Sequence, residues 1–215
     1  MPGAIFDWDG VVIASHDQHE ESWAMLFKEE GRPMPADFFK KSFGMRNQTI
    51  IPTFFDWIDP GDAERIENLG DHKEELYREL IRRDGIDPLP GVATFLQRLK
   101  DAGVPCSVGS STPHENIKTI MEVIGLGDYF DAITAAEDVT EGKPNPQVFL
   151  KAAEKINQTP SECIVFEDAH VGIHAGLNAN MRVIAVTTTH PRESLHEAHQ
   201  VVDQLDELSP ARLWP

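Results

Sequence analysis

Cysteine is scarce in this chain, with two residues, Cys106 and Cys163, in 215. Each sits inside a short apolar segment, so both read as buried free thiols of a reducing compartment rather than as a disulfide framework. Basic residues are also few. Lys plus Arg number 19 against 36 Asp plus Glu, a formal net charge of −17. A surface that acidic argues against a nucleic-acid or anionic-membrane partner, because both need a basic footprint. It does not exclude a phosphorylated small molecule, which needs only a few local cations and backbone N–H groups. Apolar runs of about 18 residues, the length of a membrane helix, are missing. The opening MPGAIFDWDG has neither the basic start nor the long apolar stretch of a secretion signal, so a cytoplasmic protein is expected. Internal repeats and low-complexity tracts are missing too.

The composition is that of an ordinary globular chain, 40% hydrophobic and 26% charged, with length for one or two domains. Residues 4–6 read as a short buried strand. Residues 15–83 read as almost wholly helical, with Trp23, Leu26 and Phe27, then Leu76, Tyr77 and Leu80, at helical spacing. Gly31, Pro33, Pro35, Pro60 and Gly61 interrupt that block. From Leu89 the texture changes. Strands are expected at 104–108, 131–135, 163–166 and 182–187. Helices are expected from Gly91 to Gly103, around 117–124, and at 146–156 and 170–179, with a last strand and helix after Gln200. Short apolar strands alternating with helices of 10–15 residues predict a parallel sheet covered on both faces. The expectation is a Rossmann-like, doubly wound α/β core, residues 1–13 and 89–215, with an inserted helical domain at 14–88.

In open parallel sheets, ligands bind beyond the carboxyl ends of the strands. Four strand ends here carry polar groups. After the first come Asp7 and Asp9, two residues apart and so on one side of the chain, followed by Gly10, which permits a sharp turn. After the second comes Gly109-Ser110-Ser111-Thr112-Pro113-His114-Glu115. Thr112, Pro113 and Glu115 read as N-cap, N1 and N3 of a helix, and the hydroxyls and amides ahead of it form an anion site. Lys143 follows in Glu141-Gly142-Lys143-Pro144-Asn145-Pro146, a point charge on a stiff loop suited to phosphate. Glu167 and Asp168 end the fourth strand. Asp7, Asp9, Glu167 and Asp168 together make an oxygen-only donor set, which suits Mg²⁺.

This set resembles the haloacid dehalogenase superfamily. DWDGV matches its first motif, Ser110 the second, Lys143 in GKPNP the third and Glu167-Asp168 the fourth. The helical insert resembles the cap of the beta-phosphoglucomutase-like subgroup. The resemblance implies that Asp7 is a nucleophile toward phosphorus and that Asp9 is the acid, then the base. It implies Mg²⁺ held by the Asp7 side chain, the Asp9 carbonyl and Asp168, with Glu167 assisting. Ser110, the Ser111 amide and Lys143 would hold the phosphoryl oxygens. In the cap, His19, Arg46 (in Gly44-Met45-Arg46) and Lys73, with Tyr77 beside it, resemble mutase residues that meet substrate. The hinge Ile13-Ala14-Ser15 departs from the mutases, which carry Asp and Thr there. The residues themselves leave His19 open between that role and a surface position on a polar helix face.

The first expectation is a Mg²⁺-dependent phosphatase acting on a small phosphorylated sugar or related metabolite, as a monomer, through an aspartyl-phosphate. A sugar-phosphate mutase is second and a catalytically silent binding protein third. The dehalogenase branch, which lacks the second Asp, fits less well. Among the 9 histidines, His170 with His174 and His196 with His199 have helical spacings that suit zinc, but no third ligand accompanies either pair.

Overall fold

The computed structural model describes residues 2–42 and 45–214. Gly44 of the cap motif lies outside the described residues. Two compact units form, Met1–Ala14 with Ile86–Pro215, and Ser15–Gly85.

The first unit contains β1 (Gly3–Phe6), α5 (Val92–Asp101), β2 (Cys106–Gly109), α6 (His114–Ile124), β3 (Ala132–Thr134) and α7 (Gln147–Lys155). It continues with β4 (Cys163–Glu167), α8 (His170–Asn178), β5 (Arg182–Val186), β6 (Gln200–Val202) and α9 (Pro210–Leu213). The strands make one parallel sheet in the order β3-β2-β1-β4-β5-β6. That is the doubly wound, Rossmann-like α/β order, and it reverses direction between β1 and β4. Strand alternation decides which face each side chain serves. Ile5, Val165, Val183 and Ala185 pack with Phe149 and Ala152 of α7 and with Ile173 and Ala175 of α8. Phe6 and Phe166 share the other face, stacked at 4.7 Å, with the Phe95 ring of α5 at 6.2 and 5.3 Å from them.

Two local readings need correction. The second strand starts at Cys106 rather than Val104, because the Val104 N–H still bonds the Leu99 carbonyl at 3.0 Å in the turn that closes α5. His196 and His199 do not share a helix. The His199 N–H bonds the Val183 carbonyl at 2.9 Å, and its Nδ1 accepts from the Val183 N–H at 3.1 Å, so His199 extends the pairing beside β5.

The second unit holds α1 (His16–Glu29), α2 (Phe38–Ser42), α3 (Asn47–Phe54) and α4 (Ala63–Asp84). The Asp62 carboxylate caps α4 by accepting from the Arg65 N–H at 3.0 Å. The core of this unit is rich in rings. Phe27 meets Phe38 and Phe55 at 4.8 Å each and Trp57 at 5.6 Å, among Trp23, Leu26, Ile51, Leu69 and Leu76. No helix among the described residues is long and apolar enough to cross a membrane.

Candidate active site

Parallel register carries the acidic strand ends to one place. Phe6 pairs with Phe166, and the Asp7 N–H bonds the Phe166 carbonyl at 3.0 Å, so Asp7 leaves β1 beside Glu167 at the end of β4. This is the reversal point of the sheet, where open α/β sheets leave a crevice. Phe6 also pairs with Val108, which brings Gly109 and Ser110 to the other side of Asp7.

Asp7, Glu167 and Asp168 each offer an oxygen within 4.8 Å of the others, the one such group among the described residues. Glu167 and Asp168 are 1% and 5% exposed. Lys143 enters this cluster, its Nζ 2.9 Å from Asp7 Oδ1 and 2.7 Å from Glu167 Oε1, with the Phe149 ring centroid at 4.8 Å. Glu167 Oε2 accepts from the Asp168 and Ala169 N–H groups, both at 2.8 Å. Burial pushes both the Glu167 and Asp168 carboxyls up, against the pull of Lys143. The Lys143 ammonium is held charged by Asp7 and Glu167, well above its ordinary range, although burial works the other way.

Two glycines make room for these carboxylates. Gly10 has φ +81°, and a Cβ there would overlap the Asp168 carboxylate. A Cβ on Gly172 of α8 would overlap the Glu167 carboxylate. Three crowded carboxylates against one ammonium leave an excess of negative charge on hard oxygen donors. That donor set fits a divalent cation such as Mg²⁺.

The Asp9 side chain stands outside this group, so the expected four-carboxylate cluster is a triad. Asp9 Oδ2 accepts from Thr112 Oγ1 at 2.7 Å. Thr112 is therefore not the cap of α6. The helix begins at His114 after Pro113, and the His114 N–H donates to the Glu137 carboxylate at 3.1 Å. Ser110 is buried, its hydroxyl donating to Thr112 Oγ1 at 3.2 Å, whereas Ser111 is exposed. In the sequence Thr112 reads as a helix cap because it stands directly before Pro113, whereas its hydroxyl serves Asp9. Thr189 is a further polar residue at a strand end. It follows β5, and its hydroxyl donates to Asp168 Oδ2. Its signal in the sequence is the polar run Thr187-Thr188-Thr189 directly after an apolar strand, the pattern of the other strand ends.

In the helical unit, His19 is not a solvated surface residue. It is partly buried, stacks on Tyr77 at 4.1 Å with planes 11° apart, and its Nδ1 lies 2.8 Å from Lys73 Nζ. Lys73 is 2% exposed and also meets Glu74 Oε1 at 3.1 Å. Burial first, then the Lys73 charge, pushes His19 down to about 3. Arg46 is exposed ahead of α3, and the neighbouring Asn47 donates to Glu74 Oε1 at 2.7 Å. His174 pairs with Glu197 at 2.5 Å, and His170 faces the His190 ring at 4.7 Å, so the two do not converge on a metal.

Comparison with known proteins adds the family. The model of the haloacid dehalogenase-like hydrolases matches residues 1–180. A chloroplastic 5-amino-6-(5-phospho-D-ribitylamino)uracil phosphatase of Arabidopsis thaliana is 35% identical over 96% of this chain, which spans 55% of that relative. Validoxylamine A 7'-phosphate phosphatase of Streptomyces hygroscopicus subsp. limoneus is 29% identical over 99% of this chain and 96% of its own. The crystal structure of a beta-phosphoglucomutase from Clostridium difficile superposes with a TM-score of 0.82, at 28% identity, over 99% of this chain and 96% of that one. With fold, strand-end acids and relatives in agreement, this chain belongs to the haloacid dehalogenase-like hydrolases, in the subgroup that includes the beta-phosphoglucomutases.

Proposed function

We propose that the protein is a Mg²⁺-dependent phosphatase of small phosphorylated metabolites, working through a phosphorylated Asp7. The convergence of Asp7, Glu167 and Asp168 beside Lys143 carries this reading. Asp7, Asp168 and the Asp9 main chain would hold the cation, with Glu167 assisting. When bound, it supplies positive charge that offsets repulsion between the carboxylates and an incoming phosphoryl group.

The steps on the protein follow from the groups present. An Asp7 carboxylate oxygen attacks phosphorus as the P–O ester bond breaks, and the bonding pair leaves with the ester oxygen. Asp9 gives that oxygen a proton. A water then attacks the phosphorus of the acyl phosphate, Asp9 takes its proton, and the Asp7 carboxylate is released with inorganic phosphate. Ser110, the Ser111 amide and Lys143 hold the three phosphoryl oxygens, so catalysis is mostly positioning and charge stabilisation. The two phosphatase relatives support hydrolysis. In the helical unit, His19, Lys73 and Arg46 are proposed to select the substrate.

The second reading is a sugar-phosphate mutase, supported by the full-length likeness to a beta-phosphoglucomutase. One assay separates the two. Metal-stripped protein is given Mg²⁺ and a panel of phosphate esters that includes beta-glucose 1-phosphate with a trace of the 1,6-bisphosphate. Release of inorganic phosphate supports the phosphatase. Glucose 6-phosphate without net phosphate release supports the mutase. Asp7→Asn is expected to abolish both outcomes; a near-normal rate in that variant, or full activity in excess chelator, would reject the mechanism.

A further inference from the structure

Thr189 is an exposed residue with an inward hydroxyl. It lies in the Thr187–Thr188–Thr189–His190 segment that follows β5. Its Oγ1 donates to Asp168 Oδ2, although Asp168 itself is only 5% exposed. The same segment makes a second contact two residues beyond Asp168. The His190 ring lies 4.7 Å from that of His170, with planes 36° apart, and His170 opens α8. Two neighbouring side chains of one segment thus grip the two ends of the stretch 168–170.

The Asp168 carboxylate has few other places to go. It occupies the space that a Cβ on Gly10 would fill. Its own N–H is committed to Glu167 Oε2 at 2.8 Å. A carboxylate offers about four lone-pair directions, and Thr189 takes one on Oδ2. Threonine is suited to this task because its branched Cβ restricts χ1, so the hydroxyl is aimed rather than merely available.

We propose that Thr189 is a positioning residue for the divalent cation, its hydroxyl holding Asp168 so that a carboxylate oxygen stays turned toward Asp7 and Glu167. The inference rests on the metal reading given above. Partners of metal-ligating side chains typically set metal affinity by 10–100-fold, through orientation rather than direct contact.

The test is equilibrium binding of Mn²⁺, followed by the electron paramagnetic resonance of the free ion, to metal-stripped, substrate-free protein. Thr189→Val keeps the shape and removes the donor, and Thr189→Ser keeps the donor. The expected result is about tenfold weaker Mn²⁺ binding in Thr189→Val, with Thr189→Ser close to the parent. Thermal unfolding in chelator, matched between parent and variants, confirms that the fold is intact; should Thr189→Val fail there, Thr189→Ala replaces it. Equal Mn²⁺ affinity in the parent and the variant without the hydroxyl overturns the positioning role while leaving the metal reading in place. A parent protein that binds no Mn²⁺ overturns the metal reading, and the inference with it.

Discussion

Gly172 is a residue whose value lies in the atom it omits. It sits in the first turn of α8, where any side chain would strike the Glu167 carboxylate. Glu167 cannot yield, because Lys143 and two backbone N–H groups already hold it. Gly172→Ala is therefore expected to destabilise the fold by about 2 kcal/mol through overpacking and to weaken the response to Mg²⁺. Urea unfolding with and without the cation measures both. The adjacent exposed Val171 offers a control, since Val171→Ala changes the same turn without touching Glu167. Equal losses in the two variants would show that the effect belongs to the helix and not to the carboxylate.

At the scale of elements, α1 and α4 are joined by a buried polar pair. Lys73 on α4 donates toward His19 Nδ1 on α1, and Tyr77, one turn on, stacks on the same ring. An ammonium that donates to Nδ1 keeps the imidazole neutral and leaves the proton on Nε2. His19 is pushed down to about 3, by burial first and the Lys73 charge second. Its ring protons should show no titration step between about pH 5 and pH 8 in a proton NMR titration, where an unperturbed histidine passes through its midpoint. In Lys73→Met the midpoint should move upward, because one of the two downward influences is gone. A parent His19 that titrates near its ordinary value would break this account. The folded state binds fewer protons than the unfolded chain below pH 6.5, so the His19 contribution is lost as pH falls from 6.5 toward 3.

The whole molecule is a strongly acidic body that carries a buried acidic cluster. Burial pushes Glu167 up to about 8, so a folded protein without metal holds a proton that the unfolded chain has lost. Stability in chelator should then fall as pH rises from 6.5 to about 8, a range over which the His19 contribution is complete and no longer changes. The expected loss is roughly 1 to 2 kcal/mol, and Mg²⁺ should offset it more at the higher pH, where the ligands are ionised. Melting curves at both pH values, with and without Mg²⁺, test this; a flat pH response in chelator would contradict it. The second prediction concerns substrate. An anionic ester approaches a chain of net charge −17 against the global field. Raising salt from about 10 mM to about 150 mM shortens the screening length from roughly 30 Å to roughly 8 Å. At saturating Mg²⁺, kcat/KM should therefore rise about twofold or more, the reverse of electrostatic steering. A fall would mean that the local cations outweigh the net charge along the approach path.

Much of the architecture was legible along the chain. Short buried strands such as 163–166 read as unbroken apolar runs because both faces are covered, and Gly and Pro marked the breaks between helices. The acidic strand ends were legible for the same reason, since polar residues directly after apolar runs must lie at the sheet's carboxyl edge. Folding alone decided which donors meet which acids. Thr112 reaches Asp9 across 103 positions and Thr189 reaches Asp168 across 21, so no local pattern records either pairing. It also decided that His19 is sheltered rather than solvated, because desolvation depends on neighbours that α4 brings from 54 positions away. Propensity and periodicity act between chain neighbours, whereas the partner of a hydroxyl and the exposure of an imidazole are set by elements that only tertiary packing brings together.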